Sequence, residues 1–160
     1  MAGQASIDRD RTEEIDMRKS VVKIFVLLFV LASLAAGADS LADLKARAEA
    51  AKPEDQPPLF VEVAERQLKN ADELYVAGKV DEALESVKDV VAYAGKAHDS
   101  ALKTGKKVKD TEIALRKMAA RLRDIKRTLN FDDQAPVQAA ADQVDNLRSD
   151  LLNKMFAKHK

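Results

Sequence analysis

The sequence predicts an all-α protein built of antiparallel helical hairpins, with four main helices behind a short leading one. Three observations predict it. Hydrophobic residues make up 46% and charged residues 34%, yet there are only 5 Phe, 2 Tyr and no Trp. Such an Ala-, Leu-, Lys- and acid-rich chain, poor in aromatics, has helical composition. From Leu41 onward the apolar residues recur at spacings of three and four, the period of one helix face. The strong breakers, Gly and Pro, are few, and most fall between the periodic runs.

The elements follow in order. Leu41 to Ala51 reads as a short helix with Leu41, Leu44 and Ala48 on one side. Pro53, Pro57 and Pro58 break it in the linker KPEDQPP. A second helix is predicted from Pro58 to Ala77, since proline suits a first turn where its missing N–H is not needed. Phe60, Ala64, Leu68, Ala71 and Tyr75 form its stripe, and Gly78 marks the turn. A third helix is predicted from Val80 to Lys103, with Val80, Leu84, Val87, Val91, Ala94, His98 and Ala101 on one face, and Gly105 marks its end. The fourth carries Val108, Thr111, Leu115, Met118, Leu122, Ile125 and Leu129. The segment NFDDQAP is predicted as a loop in which Asp132 or Asp133 caps the fifth helix, whose stripe is Val137, Ala140, Val144, Leu147, Leu151 and Met155. Short connections between helices of similar length favour antiparallel neighbours, hence a bundle or a stack of hairpins. The heptad spacing of the fourth helix leaves one alternative, a coiled-coil seam to a second copy and thus a homo-oligomer.

Leu74 to Val90, LYVAGKVDEALESVKDV, resembles the turn and second helix of a tetratricopeptide repeat. Leu74 stands at the large position, Ala71 at the small one before it, and Gly78 at the turn. Ala83 and Val87 form the A-x-x-x-hydrophobic pair: Ala83 lets the second helix approach and Val87 fills the gap. Gln67 and Asn70 depart from the pattern, which has large apolar residues there. Gly95 departs too, and no second copy follows at the period of the family. The resemblance covers about one unit and implies a TPR-like hairpin of interaction-scaffold type, with no ligand residues carried over.

Ahead of the helices lies KIFVLLFVLASLAAGADS, Lys23 to Ser40, the most apolar run in the chain. Met17, Arg18, Lys19 and Lys23 precede it with positive charge, and Ala36-Gly37-Ala38 follows as an A-x-A pattern before Asp39. Basic, apolar, small is the order of a secretory signal peptide. Ile24 to Ala38 is short against the about 20 apolar residues that span a bilayer, and an uncleaved anchor is the alternative. The expected organisation is therefore residues 1–16 as a disordered or non-translated extension, 17–38 as signal, 39–57 as the short helix and linker, and 58–160 as the helical domain. Cleavage falls between Ala38 and Asp39. The LAAGA stretch is similar to a lipoprotein cleavage box, but Ala38 occupies the cysteine position and the chain has no cysteine. The expected location is periplasmic or secreted.

The residues offer little catalytic material. The histidines are His98 and His159. His98-Asp99-Ser100 holds the letters of a hydrolase triad, but adjacent side chains on a helix diverge by about 100° and cannot converge. His98 has no Asp, Glu or His three or four residues away, so it forms no local metal pair, and its expected place is the helix stripe near a bundle end. Thiolate chemistry is closed. Asp132-Asp133 and Asp142 with Asp145 could hold calcium weakly, but each suits the first turns of a helix. Five scattered glycines make no phosphate loop. The expectation is a non-enzymatic protein with no cofactor, no metal and no catalytic residue, acting by binding a protein partner.

Net charge is zero, but unevenly spread. Residues 39–101 carry 14 acids and 8 bases, whereas residues 102–127 carry 3 acids and 10 bases. The plain reading of this basic stretch is a solvated face neutralised by the acidic helices beside it. The functional alternative is an anion-binding face made of Lys106, Lys107, Lys109, Arg116, Lys117, Arg121, Arg123, Lys126 and Arg127. Its partner in the envelope would be an anionic polymer or lipid headgroup. Nucleic acid is not expected, because no aromatic side chains interleave with the bases of this stretch.

Overall fold

The computed structural model describes residues 40–157, all of them helix or short connection. The expectations for the extension, the signal segment, Ala36, Ala38 and Asp39, and for His159, lie outside the described residues. Five helices follow one another: α1 (Leu41–Ala50), α2 (Gln56–Val76), α3 (Val80–Thr104), α4 (Val108–Thr128) and α5 (Phe131–Ala157). None is long and apolar enough to cross a membrane.

Each boundary has a local cause. Ser40 caps α1, its Oγ accepting from the Asp43 N–H at 3.1 Å. Pro57 and Pro58 lie in the first turn of α2, where no intrahelical N–H is required. The α2–α3 turn is a Schellman closure around Gly78, which sits at φ 74°. The Lys79 N–H donates to the Leu74 carbonyl at 2.9 Å and the Gly78 N–H to the Tyr75 carbonyl at 3.0 Å. Gly105, at φ 66°, ends α3, and Lys107, at φ 58°, precedes α4.

The one misplaced boundary is NFDDQAP. It is not a loop: only Leu129 and Asn130 connect α4 to α5, and Pro136 lies inside α5. Proline this near a helix start leaves a single carbonyl without its N–H donor, a local cost that the rest of a long helix outweighs. Gln134 Nε2 ties the start back to the Leu129 carbonyl at 3.0 Å. Asp132 and Asp133 sit in the first turn, where their charge suits the dipole, but neither makes a capping hydrogen bond among the described residues.

Two antiparallel hairpins, α2/α3 and α4/α5, make the body. Across the first, Gln67 Nε2 donates to the Asp89 carboxylate and Asn70 Nδ2 to Ser86 Oγ at 2.8 Å, so the partners run in opposite order. Both positions are among those that depart from the repeat pattern. Here hydrogen bonds take the place of apolar contact. The hairpins are laid together with α2 beside α4 and α3 beside α5. Helices α3 and α4, although consecutive, touch little, because the left-handed residues Gly105 and Lys107 carry the chain across the stack. α1 closes one side, burying Leu44 and Ala48 on Phe60, Val63 and Ala97. Lys45 of α1 lies over the Tyr93 ring at 5.3 Å, and Lys96 of α3 pairs with Glu49 of α1, which fastens α1 to α3.

The core is thin and alanine-rich. Ala71, Ala83 and Val87 are buried as the hairpin reading requires, and Leu74 packs half-buried against them. The α2 and α4 stripes are buried as predicted, except that Val108 and Leu129 are half-covered. The α4 stripe lies in the chain's own core. On α3 the fully buried line is rotated to Ala83, Val87, Val90, Ala94, Ala97 and Ala101, with Val80, Leu84 and Val91 half-buried. α3 is covered by α2 and α5, and Ala97 joins Leu44 and Ala48 of α1 in a second cluster, so its buried face is broader than one stripe.

Candidate anion-binding end

The nine basic residues singled out in the sequence do not act as one face. Helical rotation of about 100° per residue spreads them around α4, and those on its flanks meet the neighbouring helices. Arg121 pairs with Asp72 on α2. Arg123 NH2 donates to Asp145 on α5 at 3.1 Å, and Lys126 Nζ to Gln138 at 2.9 Å. Arg127 NH1 reaches Asp124 at 2.7 Å within α4. These four are structural ties. Arg116 and Lys117 are exposed and make no ion pair among the described residues.

The remaining three, Lys106, Lys107 and Lys109, sit where α3 turns into α4. Lys107 and Lys109 line an open cavity of about 880 Å³ at this end of the hairpin stack. Leu102 from the end of α3, Val108 from the start of α4, and Met155 and Ala157 from the last turn of α5 give it apolar walls. Lys154 joins the two lysines on the rim. Among the described residues the one acid there is Asp110, 3.6 Å from the Lys107 ammonium. Lys109 and Lys154 have no ion-pair partner among the described residues. Phe156, between two lining residues, is 68% exposed. Lys107 is the one non-glycine residue of positive φ among the described residues, and it gives α4 no side-chain cap.

Elsewhere charge is spent on holding helices together. Glu112 is only 7% exposed, and Arg148 Nε donates to it at 2.9 Å from α5. Arg148 NH1 also reaches Asp145 at 3.3 Å. Partial burial pushes the Asp145 carboxyl up, but hydrogen bonds from Arg148 and Arg123, with their charges, outweigh it and hold it below the usual carboxylate range. His98, 8% exposed, spans α3 and α5: Nδ1 lies 2.8 Å from Asp99 Oδ1 and Nε2 lies 3.0 Å from Asp150 Oδ2. Ser100 completes no triad, since both ring nitrogens are taken by carboxylates. No group of three metal-ligating side chains occurs among the described residues.

Sequence reasoning found Lys106, Lys107 and Lys109 but missed Lys154 as their companion and Asp150 as the partner of His98. Both stand tens of residues away and lack any local pattern. Only the antiparallel return of α5 brings them in. No known protein family, characterised protein or solved structure matches the chain.

Proposed function

We propose that the chain is an exported, non-enzymatic helical scaffold of tetratricopeptide-like hairpins that works by binding an anionic component of the cell envelope. The observation that carries this reading is the segregation of charge. Arg121, Arg123 and Arg127 on α4 are tied to Asp72, Asp145 and Asp124, while Lys109 and Lys154 have no ion-pair partner among the described residues and stand with Lys107, paired only to Asp110, around an open end. Export rests on the basic, apolar and small-residue order of residues 17–39. Sequencing of the mature N-terminus from Asp39 supports it, and a start at Met1 or Met17 on membrane-bound material restores the anchor.

The test is co-sedimentation of the full chain with phosphatidylcholine vesicles, with and without phosphatidylglycerol. Comparison with a Lys106→Glu, Lys107→Glu, Lys109→Glu variant cancels any contribution of the apolar N-terminal run. Binding should need the anionic lipid, weaken as added salt cuts the screening length from about 30 Å to about 3 Å, and be lost in the variant. Binding indifferent to both salt and substitution removes the reading.

The protein-partner reading keeps one specific support. Val76 and Phe131, both 86% exposed, stand at the tips of the two hairpins. The charge of Asp133 acts on the Tyr75 hydroxyl, so the two tips lie at the same end. A partner cross-linked in the native envelope fraction should be lost in a Val76→Asp, Phe131→Asp variant. Recovery of the same partner with that variant would remove this second reading.

A further inference from the structure

We propose that the cavity at the α3–α4 end takes a single-chain anionic amphiphile, a fatty-acid-like carboxylate. Its chain would lie on Leu102, Val108 and Met155, and its headgroup among Lys107, Lys109 and Lys154. The inference rests on the anionic reading above and names the ligand class of that same end.

Two features of the cavity select the ligand. The first is size with apolarity. About 880 Å³ lies within the roughly 300–1,000 Å³ range of small-molecule sites, and Leu102, Val108, Met155 and Ala157 supply apolar walls. A bare anion or an anionic polymer held by the lysines alone would leave those walls in water, whereas an acyl chain covers them. The second is charge. Among the described residues three lysines face one aspartate on the rim, so the site attracts a negative headgroup and gives a neutral one no advantage. The lysines come from the α3–α4 connection, α4 and α5, so headgroup binding would also clasp the open end of the stack.

The test is isothermal titration of the full chain with dodecanoate below its critical micelle concentration. Butanoate is the headgroup control and dodecyl maltoside the chain control. Dodecanoate should bind, and each control should bind at least about tenfold more weakly. A Lys109→Glu, Lys154→Glu variant should lose about tenfold or more of the dodecanoate affinity, and Met155→Gln should weaken dodecanoate while leaving butanoate unchanged. Melting curves report whether each variant is folded, and a variant that unfolds is replaced by Lys109→Gln, Lys154→Gln.

No binding of dodecanoate overturns the proposal. So does equal binding of dodecyl maltoside, which makes the site merely greasy, or unchanged affinity in the charge variants. Dimers that take up no dodecanoate would also overturn it, because a second copy would then cover the walls. Salt-sensitive vesicle binding without dodecanoate binding sinks this inference but leaves the anionic-surface reading standing. Loss of both sinks both.

Discussion

Gly78 carries more of the hairpin than its size suggests. Its φ of 74° is a conformation that side chains with a Cβ adopt at a cost, and nothing lies within 4 Å of where that Cβ would stand. The penalty of Gly78→Ala is therefore backbone strain alone, about 1 kcal/mol, read as a lower denaturation midpoint with an unchanged slope. A steeper loss would mean that the turn is packed in a way the helices do not require. Tyr75, next to this turn, is buried with its hydroxyl making no hydrogen bond among the described residues. Burial first, and then the charge of Asp133, push its hydroxyl pKa up. Tyr75→Phe removes a group that has given up water without a partner, so stability should hold or rise by up to about 1 kcal/mol. A clear fall in melting temperature would show that the hydroxyl is bonded in solution. The sequence placed Tyr75 on the α2 stripe correctly, but a periodic pattern reports which face is buried and nothing about what an –OH meets there.

At the scale of elements, α4 is held on its two sides by unlike ion pairs. Arg148 clasps Glu112, which is almost fully buried, whereas Arg121 meets Asp72 at an exposed edge between α2 and α4. Breaking the first strands a carboxylate away from water; breaking the second returns two groups to it. Arg148→Leu should thus lower the melting temperature clearly more than Arg121→Leu, and an equal effect would refute that ranking. The same contrast explains why the basic stretch of α4 was misleading in the sequence. A run of arginines and lysines has one appearance whether each faces solvent or a neighbouring carboxylate. The acids that neutralise Arg121 and Arg123 lie on α2 and α5, at positions that no spacing on α4 could reveal.

For the whole molecule, the α4/α5 hairpin links folding to pH. Asp145 has its pKa held below the ordinary carboxylate value in the folded state, against about 3.9 unfolded. Its contribution is therefore fully present above about pH 4 and is lost as pH falls through the lower folded value. Melting temperature should fall on acidification through that window, and Asp145→Asn should flatten this fall while lowering stability at neutral pH. An unchanged acid limb in the variant would place the sensitivity elsewhere.

Helix number, helix type and most boundaries were set locally, by the three-and-four period of apolar residues, by Ser40 at a cap, and by Gly78 and Gly105 at the turns. Pro136 misled because a proline signals a break from sequence, while in a long packed helix its single lost hydrogen bond is a small term. Only the tertiary structure decided which helices lie side by side, how broadly α3 is buried, and which charges are spent. Those outcomes depend on residues far apart in sequence, such as Lys109 with Lys154, which share a rim once α4 and α5 close into a hairpin, and His98 with Asp150, which meet when one hairpin is laid on the other. Periodicity is a property of one helix, whereas a site rimmed from α4 and α5 is a property of their packing.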